Sequence, residues 1–89
     1  MELIKNSEYY NFNDTTDNGW RVSGSVSKEI NGNLSISVSV SSEFEYIGDF
    51  YYSRPVEGNI SMNHNVSEAN MDTFVTYTNS IIDFVLEQF

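Results

Sequence analysis

Residues 34–46, LSISVSVSSEFEY, constrain the fold more than any other stretch. Leu34, Ile36, Val38, Val40, Phe44 and Tyr46 fall on one side of an extended chain, and Ser35, Ser37, Ser39, Ser41, Glu43 and Glu45 on the other. Such period-two alternation predicts a strand with one buried and one wet face. Residues 20–30 repeat it. Trp20, Val22, Gly24, Val26 and Ile30 share a side, with Lys28 as the exception, opposite Arg21, Ser23, Ser25, Ser27 and Glu29. Asn31-Gly32 between the two runs signals a hairpin, and parity selects its form. A two-residue loop would set Val26 beside Ser37 and mix the apolar face of one strand with the serine face of the other. A three-residue loop, Ile30 to Gly32, pairs Glu29 with Asn33, Val26 with Ile36 and Val22 with Val40. Gly32 then takes the left-handed position of a G1 bulge. The second register is expected, because a one-residue slip turns a whole face to the wrong side.

The other segments fill in around this hairpin. Residues 1–17 hold Leu3, Ile4, Tyr9, Tyr10 and Phe12 in a pattern that fits a short helix or an edge segment, and residues 13–19 are rich in turn formers. A second connection near Ile47-Gly48-Asp49 leads to a third strand, Phe50 to Ser53, which Pro55 and Gly58 interrupt. Residues 59–64 alternate again, with Ile60 and Met62 on one side, and either continue that strand or form a fourth. From Ser67, a good N-cap, Met71, Phe74, Val75, Thr78, Ile81, Ile82, Val85, Leu86 and Phe89 follow the spacing of an amphipathic helix. The expected architecture is α+β: a three- or four-stranded antiparallel sheet packed by its even-numbered face against one C-terminal helix. The 89 residues make one domain, 1–89.

Catalytic chemistry has little to stand on. His64 is the single histidine and there is no cysteine, so a serine nucleophile would depend on His64, and no nucleophile-elbow pattern surrounds any serine. A strand-edge or exposed role is the expectation for His64. Glu43 and Glu45 lie two apart on a wet strand face, not in a pocket that would tune them for acid–base work. Asp14 and Asp17 echo a calcium loop without its spaced ligands or terminal glutamate, and the five glycines are too scattered to cradle phosphate. No enzyme, cofactor or metal is expected. A basic n-region before a long apolar run is missing, so neither a signal peptide nor a membrane span is expected. Four glycosylation sequons, at Asn13, Asn33, Asn59 and Asn65, carry no weight without a secretion signal.

Charge is the informative property. Thirteen acids face four bases, a net charge of −9, and no Lys or Arg occurs between Lys28 and Arg54. There is no basic patch to meet phosphate, and an anionic membrane would repel the chain, so neither direct nucleic-acid binding nor membrane binding is expected. The complementary partner is a basic protein surface. In the expected register Glu45 lies opposite Asp17 and Glu43 opposite Gly19, which gathers Asp14, Asp17, Glu43, Glu45 and Asp49 at one end of the hairpin. Tyr46 and Tyr51 beside them supply the aromatic contacts typical of interface hot spots. Asp72, Asp83 and Glu87 form a second acidic surface opposite the helix's apolar stripe. Asp83 and Glu87 are a like-charged i, i+4 pair, and Glu87 sits at the negative end of the helix dipole, so both are retained against a mild electrostatic cost.

A short acidic chain without Cys or catalytic motif, laid out as a small sheet and one helix, resembles the small acidic proteins that phages encode against bacterial defence. Anti-CRISPR proteins and other DNA-mimic inhibitors belong to that class. The resemblance implies a non-enzymatic inhibitor in the cytoplasm of a bacterial host cell. Its target would be the Arg/Lys-lined nucleic-acid surface of a CRISPR effector or other nuclease. No residue is carried over from it. Two alternatives stay open: an immunity protein against a toxin nuclease, and a structural or adhesive interaction module.

Overall fold

The computed structural model describes the backbone of residues 4–6, 9–30 and 32–88 and the side chains of 9–30 and 32–88. Leu3, residue 31 of the hairpin turn, Phe89, and the side chains of Ile4 and Lys5 lie outside the described residues. Six strands, β1 (Ile4–Asn6), β2 (Tyr9–Thr15), β3 (Arg21–Lys28), β4 (Leu34–Ser41), β5 (Tyr46–Arg54) and β6 (Ser61–Val66), precede one helix, α1 (Met71–Gln88). The strands lie side by side in chain order, each antiparallel to the next. The class is α+β as expected, but the sheet has five full strands, β2 to β6, with the three-residue β1 added at one edge, not three or four. The additional full strand is β2, in a segment expected as a short helix or an edge segment; β6 is the fourth strand offered as one alternative for residues 59–64. Their sequences, YYNFNDT and SMNHNV, are full of Asn and Asp, which are poor strand formers alone. Pairing with β3 and β5 holds them extended.

The β3–β4 hairpin has the three-residue loop. Val26 pairs with Ile36 and Val22 with Val40. The Glu29 N–H donates to the Asn33 carbonyl and the Gly32 N–H to the Glu29 carbonyl, both at 2.9 Å, and Gly32 has φ 102°. Ile30, grouped with the apolar face by parity, lies in the loop and is fully exposed.

The even-odd pattern breaks sooner than the alternation suggested. β4 stops at Ser41, because Ser42 turns the chain. Its Oγ accepts from the backbone N–H of Phe44 and Glu45 (3.3 and 3.1 Å), and its own N–H donates to the Glu45 carbonyl at 2.7 Å. Such local serine bonding offers the backbone an alternative to the ladder. The reversal is therefore at 42–45, not at 47–49. Phe44 points to solvent at 90% exposure and is not core. β5 then begins with a bulge: Tyr46 faces Ser41, Gly48 faces Val40, and Ile47 is the additional residue. The bulge leaves Tyr46 exposed and Ile47 buried.

The inner face carries one hydrophobic cluster. Phe12, Val22, Val26, Leu34, Ile36, Val38, Val40, Phe50 and Tyr52 of the sheet join Phe74, Ile81, Ile82 and Val85 of α1. Gly24 makes room for Phe12, its cross-strand partner, whose ring occupies the space a side chain at 24 would need. Trp20 lies 6.3 Å from Phe74, ring to ring. Ser67 does not cap α1. It precedes a 3-10 turn, Glu68–Asn70, makes no side-chain bond to a helical N–H, and accepts instead from the Asn70 side chain at 3.2 Å. Met71, placed on the stripe by spacing, opens α1 and is exposed. Among the described residues no helix is long and apolar enough to cross a membrane.

Candidate functional site

Antiparallel order brings the β2–β3 turn (16–20), the β4–β5 turn (42–45) and the C-terminus of β6 to one end of the sheet, where α1 begins. Glu43 and Glu45 stand exposed on the 42–45 turn with Phe44 between them. Behind them, on the open face, the Tyr46 hydroxyl donates to Asp49 Oδ2 at 2.6 Å, and Asn65 Nδ2 donates to the same oxygen at 3.3 Å. The Asp49 bond, then partial desolvation, raises the Tyr46 phenol above its ordinary range. Arg21 lies in the same hollow as Tyr46, Ser39 and Ser41, so a base stands beside the acidic tip.

The expected pairing of Glu45 with Asp17 and of Glu43 with Gly19 does not occur. The β3–β4 ladder ends at Arg21 and Ser41. Residues 16–20 close their own turn, with the Thr16 N–H on the Trp20 carbonyl at 2.9 Å and the Gly19 N–H on the Thr16 carbonyl at 3.0 Å. Asp17 shares this end of the molecule but belongs to the helix side, near Asp72 of the first turn of α1. Tyr51 stands apart from the tip. It sits mid-strand on the open face, opposite Ser37 and Asn63, about 16 Å along β5 from Tyr46 at a strand's rise per residue.

Asp83 and Glu87 are also exposed, but about 16 to 22 Å along the helix from Asp72. They end beside the opposite edge of the core, where Leu86 lines a hollow with Lys28 and Arg54. The expected second acidic surface is therefore divided between the two ends. Among the described residues no three His, Asp or Glu side chains are placed to hold a metal ion.

His64 is on the edge strand β6, yet its ring is held between sheet and helix. It lies 4.6 Å from the Phe50 ring and 6.2 Å, edge-on, from Phe74. Its Nε2 is 3.2 Å from Thr78 Oγ1, which donates its one hydrogen to the Val75 carbonyl at 3.0 Å. With the hydroxyl hydrogen on the Val75 carbonyl, the Nε2–H tautomer of His64 completes the pair. This arrangement joins β6 to α1.

A groove that the sequence did not reveal runs between the β2–β3 turn and the first half of α1, with a volume of about 540 Å³. Its lining is mostly apolar and includes Tyr77 and the small exposed part of Trp20, with Thr73, Thr76 and Ser80 on its helical wall and Asp17 and Asp72 as its charges. Both walls are fixed. Thr16 Oγ1 bonds the Asn18 side chain and accepts from the Trp20 N–H at 3.1 Å. The Tyr77 hydroxyl donates to Asp14 Oδ2 at 2.7 Å, and burial together with that carboxylate pushes the phenol well above its ordinary pKa. The available signal was indirect: a single Trp directly after a turn that carries Asp17. No protein-family model, curated protein or solved structure matches this chain.

Proposed function

We propose that the protein is a non-enzymatic inhibitor that docks its acidic sheet end on the basic nucleic-acid surface of a host defence nuclease, in the manner of anti-CRISPR proteins. The observation that carries this reading is the 42–45 turn. It holds two carboxylates around a phenylalanine that is 90% exposed, on a chain with a net charge of −9. Carboxylates steer a protein toward basic surfaces and pair with arginines. A projecting aromatic gives such an encounter an anchor. Tyr46 and Asp49, bonded to each other behind the tip, extend the contact, and Asp17 and Asp72 lie on its helix side. Asp83 and Glu87 fall outside this surface because of their distance from it.

The test is capture of partners from host lysate on the immobilised protein, followed by mass spectrometry and a nuclease assay. Recovery of a CRISPR effector or another nuclease whose nucleic acid competes with the protein is the expected result. Reversal of both glutamates, Glu43→Lys with Glu45→Lys, is expected to abolish inhibition and leave the fold intact, since exposed charges contribute little to stability. Retention of no basic nucleic-acid enzyme, or full inhibition by the double reversal, overturns the reading.

A further inference from the structure

The Trp20–Tyr77 groove has the chemistry of a receptor for a single cationic side chain, and we propose that it takes an arginine presented by a protein partner. Its volume, about 540 Å³, lies within the range of small-ligand sites. Its surface is mostly apolar, with Tyr77 among its lining and only a small part of Trp20 exposed, and the charges around it are Asp17 and Asp72, with no Lys, Arg or His among the lining residues. Apolar surface next to carboxylates favours a cation that also tolerates loss of water. Guanidinium meets both demands. It is planar, weakly hydrated, stacks on aromatic rings, and offers five donors in a fixed fork. Those donors suit the Asp17 and Asp72 carboxylates and the hydroxyls of Thr73, Thr76 and Ser80. An ammonium is more strongly hydrated and has no plane to stack, so lysine is the weaker occupant.

The walls favour binding because they are already ordered. The turn is held by Thr16, Asn18 and the Trp20 N–H, and Tyr77 by Asp14. A preformed slot leaves less ordering to be paid on association. This inference extends the basic-partner reading to a second contact, away from the 42–45 turn, but does not require that the partner be a nuclease.

Trp20 is the single tryptophan and lines this groove, so its fluorescence responds to a ligand bound there. The probe is a blocked Gly-Arg-Gly peptide titrated into the full chain at low salt, with the neutral citrulline and the lysine peptides as comparisons. A saturable change in Trp20 emission is expected with arginine, with citrulline and lysine each at least about tenfold and threefold weaker, respectively, for the lost charge and the lost stacking plane. Asp17→Asn with Asp72→Asn, both exposed in the folded chain, is expected to weaken the arginine peptide about tenfold, with the melting temperature lowered by no more than about 5 °C for the lost helix-dipole interaction of Asp72. The tip reversal Glu43→Lys with Glu45→Lys is expected to leave the Trp20 response in place. An absent response, equal binding of the citrulline or lysine peptide, or an unchanged affinity after the double Asn substitution overturns the assignment. Loss of nuclease capture with a retained Trp20 response would instead overturn the inhibitor reading alone.

Discussion

Gly24→Ala is a small change with a large expected effect. Gly24 sits mid-strand in β3, directly opposite Phe12. A methyl built there would lie 2.3, 2.6 and 2.8 Å from three carbons of the Phe12 ring. Carbon atoms prefer about 3.5–4.0 Å, so the ring would have to withdraw by more than about 1 Å. It has nowhere open to go, because Phe12 is 1% exposed and belongs to the central cluster. Overpacking of this kind costs about 1–3 kcal/mol. Removing a glycine from a strand returns about 0.5–1 kcal/mol through backbone entropy. The net expectation is a loss of about 1–2 kcal/mol, or roughly 5–15 °C in Tm for a chain of this size. Urea unfolding followed by Trp20 fluorescence measures it directly. Phe12→Leu provides the control, since it removes the ring atoms that clash. In that background Gly24→Ala is expected to be neutral or to stabilise by about 0.5 kcal/mol. An alanine that stabilises the wild type, or that costs the same in both backgrounds, would refute the close-contact account.

Other expectations follow from single contacts. Ile81 is fully buried in the central cluster, so Ile81→Ala is expected to cost about 2–5 kcal/mol in chemical unfolding; a loss below about 0.5 kcal/mol would place it outside the core. Thr78→Val keeps shape but strips the hydroxyl that accepts from His64, and is expected to cost about 1–3 kcal/mol by leaving that N–H unpaired, whereas Thr78→Ser retains the bond. The Tyr77 phenol is raised above its unfolded value, so its stabilising contribution is complete below about pH 10 and declines as the pH rises beyond it. Tyr77→Phe removes this dependence, and the stability gap between wild type and variant is expected to narrow above pH 10 in denaturation curves; a constant gap would mean that the phenol is not held by its surroundings.

The hairpin at the centre of the fold was legible because two independent signals agreed. Alternation defined the faces of β3 and β4, and parity then left one loop length that kept both faces apolar on the same side. The helix was legible for the same reason, through its 3.6-residue spacing. What escaped was decided by hydrogen bonds that alternation does not record. Phe44 and Tyr46 continue the pattern of Val38 and Val40, yet the Ser42 hydroxyl captures two backbone N–H groups and ends the strand before them. β2 escaped because its inward residues, Tyr10, Phe12 and Asp14, alternate with asparagines and with Tyr9, a pattern that looks polar until Gly24 is recognised as space for a ring. The acids were identified residue by residue, but their grouping depended on a ladder that stops at Ser41. The Trp20–Tyr77 groove depends on a contact between residues 57 positions apart in the chain, and no local pattern encodes that.

Placing the acids at two ends changes what a net charge of −9 means for recognition. The longest dimension of the molecule is 39 Å, several times the Debye length of about 8 Å at physiological salt. An approaching surface therefore responds to the end it meets, not to the whole charge. The end that carries Asp14, Asp17, Glu43, Glu45, Asp49 and Asp72 has Arg21 as its nearby base. The other end sets Lys28 and Arg54 around a hollow that Leu86 of α1 also lines. The acidic end is different: its carboxylates flank an exposed Phe44 on one side and the Trp20–Tyr77 groove on the other. Steering and anchoring are therefore combined at a single pole, which is the condition for a charged surface to dock in one orientation and not merely to attract.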